Sequence, residues 1–112
     1  QPDARLSGMA GRELGIKRDQ LELGTIIPFF GDLGSCSSFV GLAAILDKAK
    51  PGERILLASY GSGNSTAISL IVQEGIEKKG ERSTPVEKYR QQKNYLDYPT
   101  YLKTIGAIKR ST

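Results

Sequence analysis

Histidine is absent from this sequence, which removes from these residues the usual neutral-pH general base, any Ser-His or Cys-His nucleophile pair and any His-containing metal site. Cysteine occurs once, as Cys36. A lone thiol excludes an intrachain disulfide and CxxC-type zinc clusters, and gives no support to an oxidising compartment, so a cytoplasmic location is the expectation. Long apolar runs are missing as well: none reaches the roughly 18 residues a membrane span needs, and no charged-then-apolar leader opens the chain. No membrane partner is expected. The first residue is Gln1, not Met, the start expected of a processed, trimmed or dissected polypeptide. No internal repeat or low-complexity tract is present.

What remains is 112 residues, of which 38% are apolar and 25% charged, one domain or part of one and outside the composition range of disorder. The formal charge is +4, and most of the basic excess follows Gly75, in Lys78, Lys79, Lys88, Arg90, Lys93, Lys103, Lys109 and Arg110. Glu77, Glu81, Glu87 and Asp97 are interleaved with it. That pattern reads as a solvated mixed-charge face, and nucleic acid is not expected as a partner.

Leu6, Met9, Ala10 and Leu14 recur at helical spacing behind Pro2 and Asp3, with Gly15 placed to stop them, so residues 3–14 are expected to form a half-buried helix. A short helical turn around residues 18–23 should end at Gly24. Residues 25–30 (TIIPFF) read as a strand that Pro28 confines to an edge or a bend. A Gly-Ser loop then feeds a helix apolar nearly all round, from Phe39 to Leu46, which must be buried. Gly41, Ala43 and Ala44 would let another backbone approach it, Lys48 and Lys50 complement its C-terminal dipole, and Pro51-Gly52 stops it. Residues 54–60 (RILLASY) and 65–72 (STAISLIV) read as an antiparallel hairpin around the linker Gly61-Ser62-Gly63-Asn64. Thr84 to Glu87 has the capping-box pattern, so a helix is expected to begin at Pro85. Tyr89, Tyr95, Tyr98 and Tyr101 mark an arm over residues 84–112 that packs back on the body. The order of elements is that of an α/β layered protein.

Three features bear on chemistry. Cys36 lies at the expected N-terminus of the apolar helix, where the dipole lowers a thiol pKa, and is either a nucleophile or a small filler against a neighbouring backbone. Asp32, flanked by Gly31 and Gly34, either accepts a proton or orients a ligand, or else bonds the loop amides as a turn residue. The stretch Ser59-Tyr60-Gly61-Ser62-Gly63 is a candidate oxyanion or carbonyl-binding loop, since its glycines let backbone N–H groups reach a ligand oxygen, and it is equally an ordinary hairpin turn. It fits neither the P-loop nor the dinucleotide fingerprint.

Four segments in this order carry a family likeness: QPDAR at the start, GDLGSCSSFVGLAAILDKAKPGERILLASYGSG, the apolar strand after it, and VEKYRQQKNYLDYPTYLKTIGAIKR. Together they resemble the C-terminal half of archaeal-type hydroxymethylglutaryl-CoA synthase, of the thiolase superfamily. The resemblance implies an α/β fold that is the second half of an αβαβα sandwich, a mixed sheet with residues 38–48 as the buried central helix and a terminal antiparallel hairpin.

For activity, the resemblance implies condensation of acetyl-CoA with acetoacetyl-CoA. The acylated cysteine and carboxylate base would come from an N-terminal half, and the family's histidine would stand immediately before Gln1. Ser59 to Gly63 matches the family's Ser-Tyr-Gly-Ser-Gly loop, which makes Gly61 and Ser62 catalytic candidates and Gly63 a substrate-binding one. Asp32 stands where most relatives have an asparagine that polarises the substrate carbonyl, and a carboxylate there would repel an oxyanion unless protonated. Asp32 is nonetheless a catalytic candidate by its place; Ser37, which matches a small hydroxyl residue at the start of the buried helix, and Arg5, near where relatives bring positive charge toward coenzyme A, are substrate-binding candidates, and Cys36 falls away from the family's nucleophile. No metal and no cofactor are implied beyond coenzyme A thioesters as substrates. The implied partners are the acyl-CoA, an N-terminal half or complementary chain, and a homo- or hetero-oligomer that takes in a thiolase and an accessory OB-fold protein. A non-catalytic scaffold with the same fold is the alternative.

Overall fold

A computed structural model describes residues 3–81 and 84–108. Residues 1–2, 82–83 and the last four of the expected arm, Lys109 and Arg110 among them, lie outside that set.

The first helix, α1 (Ala4–Glu13), forms where the apolar spacing predicts it. Asp3 caps it by accepting from the Arg5 amide at 2.8 Å, and Gly15 leaves it at φ 71°. Its apolar stripe is not half-buried, since Leu6, Met9 and Leu14 are all exposed. The helix touches the body through Gly11, where a Cβ would lie 2.4 Å from Leu21 Cδ1. Helix α2 (Arg18–Glu22) follows.

The expected strand over residues 25–30 is not a strand. Residues Ile27–Phe30 form a short helix, α3. Pro28 sits in its first turn, where the missing N–H has no partner to lose and the fixed φ suits a helix. The Thr25 hydroxyl donates to the Leu21 carbonyl at 2.9 Å, and Ile26, only 2% exposed, anchors the entry.

After a 3₁₀ turn (Gly34–Cys36), α4 runs over Ser37–Leu46. Its small residues serve as expected at one place: a Cβ at Gly41 would stand 2.8 Å from the Gly24 carbonyl oxygen, so only glycine allows the two segments this close. The helix is not enclosed on all sides. Phe39 is 66% exposed, and only Ser37 and Gly41 are buried. Because α4 ends at Leu46, no basic residue falls in its last turn. The Lys50 amide instead donates to Glu53 Oε2 at 2.9 Å, within the turn that leads into the sheet.

The hairpin is present: β1 (Arg54–Gly61) pairs antiparallel with β2 (Asn64–Ile71). The turn is Ser62-Gly63 alone, at φ 51° and 80°, the left-handed pair a type I′ turn requires. Ile55 and Leu70 face each other on the side toward α4, where Leu46, Ile55, Leu70, Val72 and Ile76 line an open apolar groove of about 400 Å³. The other face carries Leu56, Tyr60 and Ile71, all exposed. No charged residue occurs from position 55 to position 72.

Residues Glu74–Glu81 form a 3₁₀ stretch. Helix α5 covers Val86–Gln91 and α6 covers Tyr98–Thr104. The capping box at Thr84 does not form, because Pro85 is itself the N-cap and offers no side-chain acceptor. Asp47, 39 residues earlier, takes its place: Oδ2 accepts from the Val86 amide at 2.6 Å. Of the arm, α5 packs on α4, whereas Tyr95 is 89% exposed. Tyr98 and Tyr101 stack on each other at 6.3 Å.

Candidate functional site

The residues singled out in the sequence fall in three places. At the entry to α4, Asp32 and Ser37 are brought together. Asp32 Oδ1 accepts from the Gly34 amide at 2.9 Å and from the Ser37 hydroxyl at 3.4 Å. Ser37 Oγ in turn accepts from the Leu33 amide at 3.1 Å. The carboxylate thus organises the loop amides, as a short acidic side chain does in a turn, while Ser37 is 1% exposed and held beneath it. Gly31 leaves α3 at φ 73° and Gly34 opens the 3₁₀ turn at φ 58°, so both glycines that flank Asp32 adopt conformations an L side chain resists.

At the hairpin tip, Gly61 ends β1 opposite Asn64, and Ser62 and Gly63 form the exposed turn beyond it. A Cβ built on Gly61 or on Gly63 meets nothing within 4 Å, so the backbone there is open to a ligand. Ser62 is the one non-glycine residue at positive φ among the described residues. Such strain recurs at functional turns because the surroundings must hold it.

Arg5 stands apart, in the first turn of α1, its Nη2 2.7 Å from Asp3 Oδ2. The pair holds the Asp3 carboxyl down at about 2, chiefly through the Arg5 side-chain hydrogen bonds and then its backbone N–H, and raises the guanidinium. Cys36 is exposed and lies next to Ser37. The apolar groove includes none of these site residues. Among the described residues no cluster of three or more His, Cys, Asp or Glu could hold a metal ion, and no helix is long and apolar enough to cross a membrane.

Two contacts near this region were missed in the sequence. The Arg90 guanidinium carbon lies 3.3 Å from the centroid of the Phe29 ring, with Lys93 Nζ at 5.5 Å. The Asp47–Val86 bond is the second. The one available signal was the i, i+3 spacing of Arg90 and Lys93, a pattern too common to point to a partner.

The architecture is α/β, helices with an antiparallel two-stranded sheet, and is compatible with a segment of a thiolase-like fold. No family model matches the chain. It is similar to the hydroxymethylglutaryl-CoA synthase of Aeropyrum pernix, 38% identical over 109 residues that make up 96% of this chain and 30% of that protein. The synthase of Thermococcus sibiricus is 41% identical over 107 residues, 95% of this chain and 31% of that protein. That of Methanosarcina barkeri is 38% identical over 112 residues, 99% and 32% respectively. The chain is therefore a relative of the archaeal hydroxymethylglutaryl-CoA synthases along nearly all of its own length, and it spans about 30% of the length of the relatives it matches.

Proposed function

We propose that this chain is part of an acyl-CoA condensing enzyme that joins acetyl-CoA, acetoacetyl-CoA and water to give hydroxymethylglutaryl-CoA and free CoA, a step toward isoprenoids by way of mevalonate. The observation that supports it is the identity of 38% with the Aeropyrum protein across 96% of the chain, which takes in the Ser-Tyr-Gly-Ser-Gly turn. With no histidine and one displaced cysteine, the nucleophile and the acid/base groups come from polypeptide outside these residues. That polypeptide is an N-terminal half, covalently joined or separate. The chain's own contribution is a carbonyl-binding tip: backbone N–H groups around Gly61 and Ser62 polarise the thioester oxygen as negative charge develops on it, Gly63 gives the acyl group room, and Arg5 meets a coenzyme A phosphate. Ser37 orients Asp32. The unit is a C-terminal thiolase-like half-domain over residues 1–112, working in the cytoplasm in an oligomer with a thiolase and an accessory OB-fold protein.

The test is CoA release after the chain is assembled with its complementary polypeptide. Thioester-dependent release that falls at least tenfold in a Gly61→Val variant is the expected result; an assembled, folded protein with no release overturns the reading.

Asp32 favours a second reading, a scaffold that keeps the fold without the chemistry. A carboxylate in place of a neutral amide opposes an oxyanion. Asp32→Asn separates the two readings. Activity that appears only in the variant identifies a scaffold, and activity already present in the native assembly rules the scaffold out.

A further inference from the structure

Helix α3 and the Asp32 turn form one short run of chain: Phe29 sits in α3, Gly31 ends it, and Asp32 follows at once. The run is anchored on its inner side by buried Ile26. Phe29 itself stays 37% exposed, and what covers it is the Arg90 guanidinium, 3.3 Å above the ring, with Lys93 beside it at 5.5 Å. Arg90 is not free to wander, since its Nη1 is 3.3 Å from Glu87 Oε2, one turn back on α5. The start of α5 is fixed in turn by Asp47 at the end of α4, through the Val86 amide. A guanidinium held over a ring restrains both partners, and a lysine ammonium does so less well because it is a more strongly hydrated point charge.

We propose that Arg90 is a positioning residue: acting through the Phe29 ring, it holds α3 and so sets the Asp32 turn that binds the Gly34 amide and the Ser37 hydroxyl. The C-terminal arm is then the outer jaw of a clamp whose inner jaw is α4. Its link to catalysis rests on the condensing-enzyme reading, but the positioning itself does not.

The experiment follows amide hydrogen exchange in the full chain, in whatever assembly it forms, for the native sequence, Arg90→Ala, Arg90→Lys, Phe29→Leu and the Arg90→Ala/Phe29→Leu pair. Arg90→Ala is expected to speed exchange at Gly34 about threefold, Arg90→Lys to recover part of that protection, and the double variant to add nothing to either single change. Exchange at Gly34 that stays native in Arg90→Ala, or changes confined to residues 86–91, overturns the proposal. Should Arg90→Ala fail to fold, Arg90→Lys and Phe29→Leu give the same decision. In the assembled protein, a positioning role also lowers kcat more than it raises KM. If no variant, native included, releases CoA, the condensing-enzyme reading fails while the exchange result still stands.

Discussion

Asp3 and Arg5 show how one side chain at a helix end sets a titration. The Asp3 carboxyl accepts from the Arg5 side chain and amide, and its pKa falls from 3.8 to about 2. Because the folded value lies below the unfolded one, the stabilising contribution is complete above pH 3.8 and is lost as pH falls through about 2. A carboxyl ¹³C titration of Asp3 should place its midpoint near 2, moving up toward 3.8 in Arg5→Ala, and high salt should weaken the effect since the pair is exposed. A native midpoint at 3.8 would contradict the observed pairing. The Asp97 carboxyl is also lowered, first by the Thr100 amide and then by its hydroxyl, the same N-cap chemistry at the start of α6. At Gly41 the constraint is steric. A methyl group there meets the Gly24 carbonyl at 2.8 Å, so Gly41→Ala should lower stability by about 1–3 kcal/mol in a denaturant titration, whereas Gly8→Ala, with open space around it, should not.

Among the elements, those specified by local chemistry were legible in the sequence. The hairpin could be read because a Ser-Gly pair between two apolar runs suits a type I′ turn, and α1 because Asp3, the apolar spacing and Gly15 agree on its ends. TIIPFF was misread for a physical reason. A short apolar run fits strand and helix alike, and Pro28 is excluded from a central strand but welcome in a first helical turn. The cap of α5 was illegible because its acceptor, Asp47, lies 39 residues away and only the tertiary fold brings it there. The candidate site divides the same way. The Ser62-Gly63 turn was visible, the Asp32–Ser37 contact was not. Asp47→Ala should therefore act on α5, at a cost of about 1–2 kcal/mol of the kind a lost N-cap carries. Limited proteolysis should find residues 84–91 cut sooner in the variant, with the hairpin unaffected. Equal cutting in both proteins would show that Asp47 does not hold the arm.

The whole molecule is extended: its radius of gyration is 17.1 Å and its extents 59 × 37 × 23 Å, against about 13 Å for a compact chain of this length. Its accessible surface is 9322 Å², whereas a compact monomer of 12.2 kDa exposes about 6,000 Å². The difference, roughly 3,000 Å², is several times the roughly 800 Å² that each partner gives to a standard interface. Leu56, Ile71, Phe39 and Tyr60 all contribute to it. Sedimentation of the chain alone should show association that rises with concentration, and addition of the complementary polypeptide should replace it with one defined species. A monodisperse monomer of 12.2 kDa across that range would show that this surface needs no cover.

The uncharged hairpin also has a consequence in time. Its strands are joined by two residues, so it closes within about 1–10 μs, far faster than a ribosome adds even one residue at about 5–20 per second. It therefore samples its paired form well before any distant segment can reach it, and nothing from position 55 to position 72 carries the charge that usually keeps sheet edges apart. Yield of this protein in a cell should depend less on how stable the hairpin is than on how soon something else arrives to cover it.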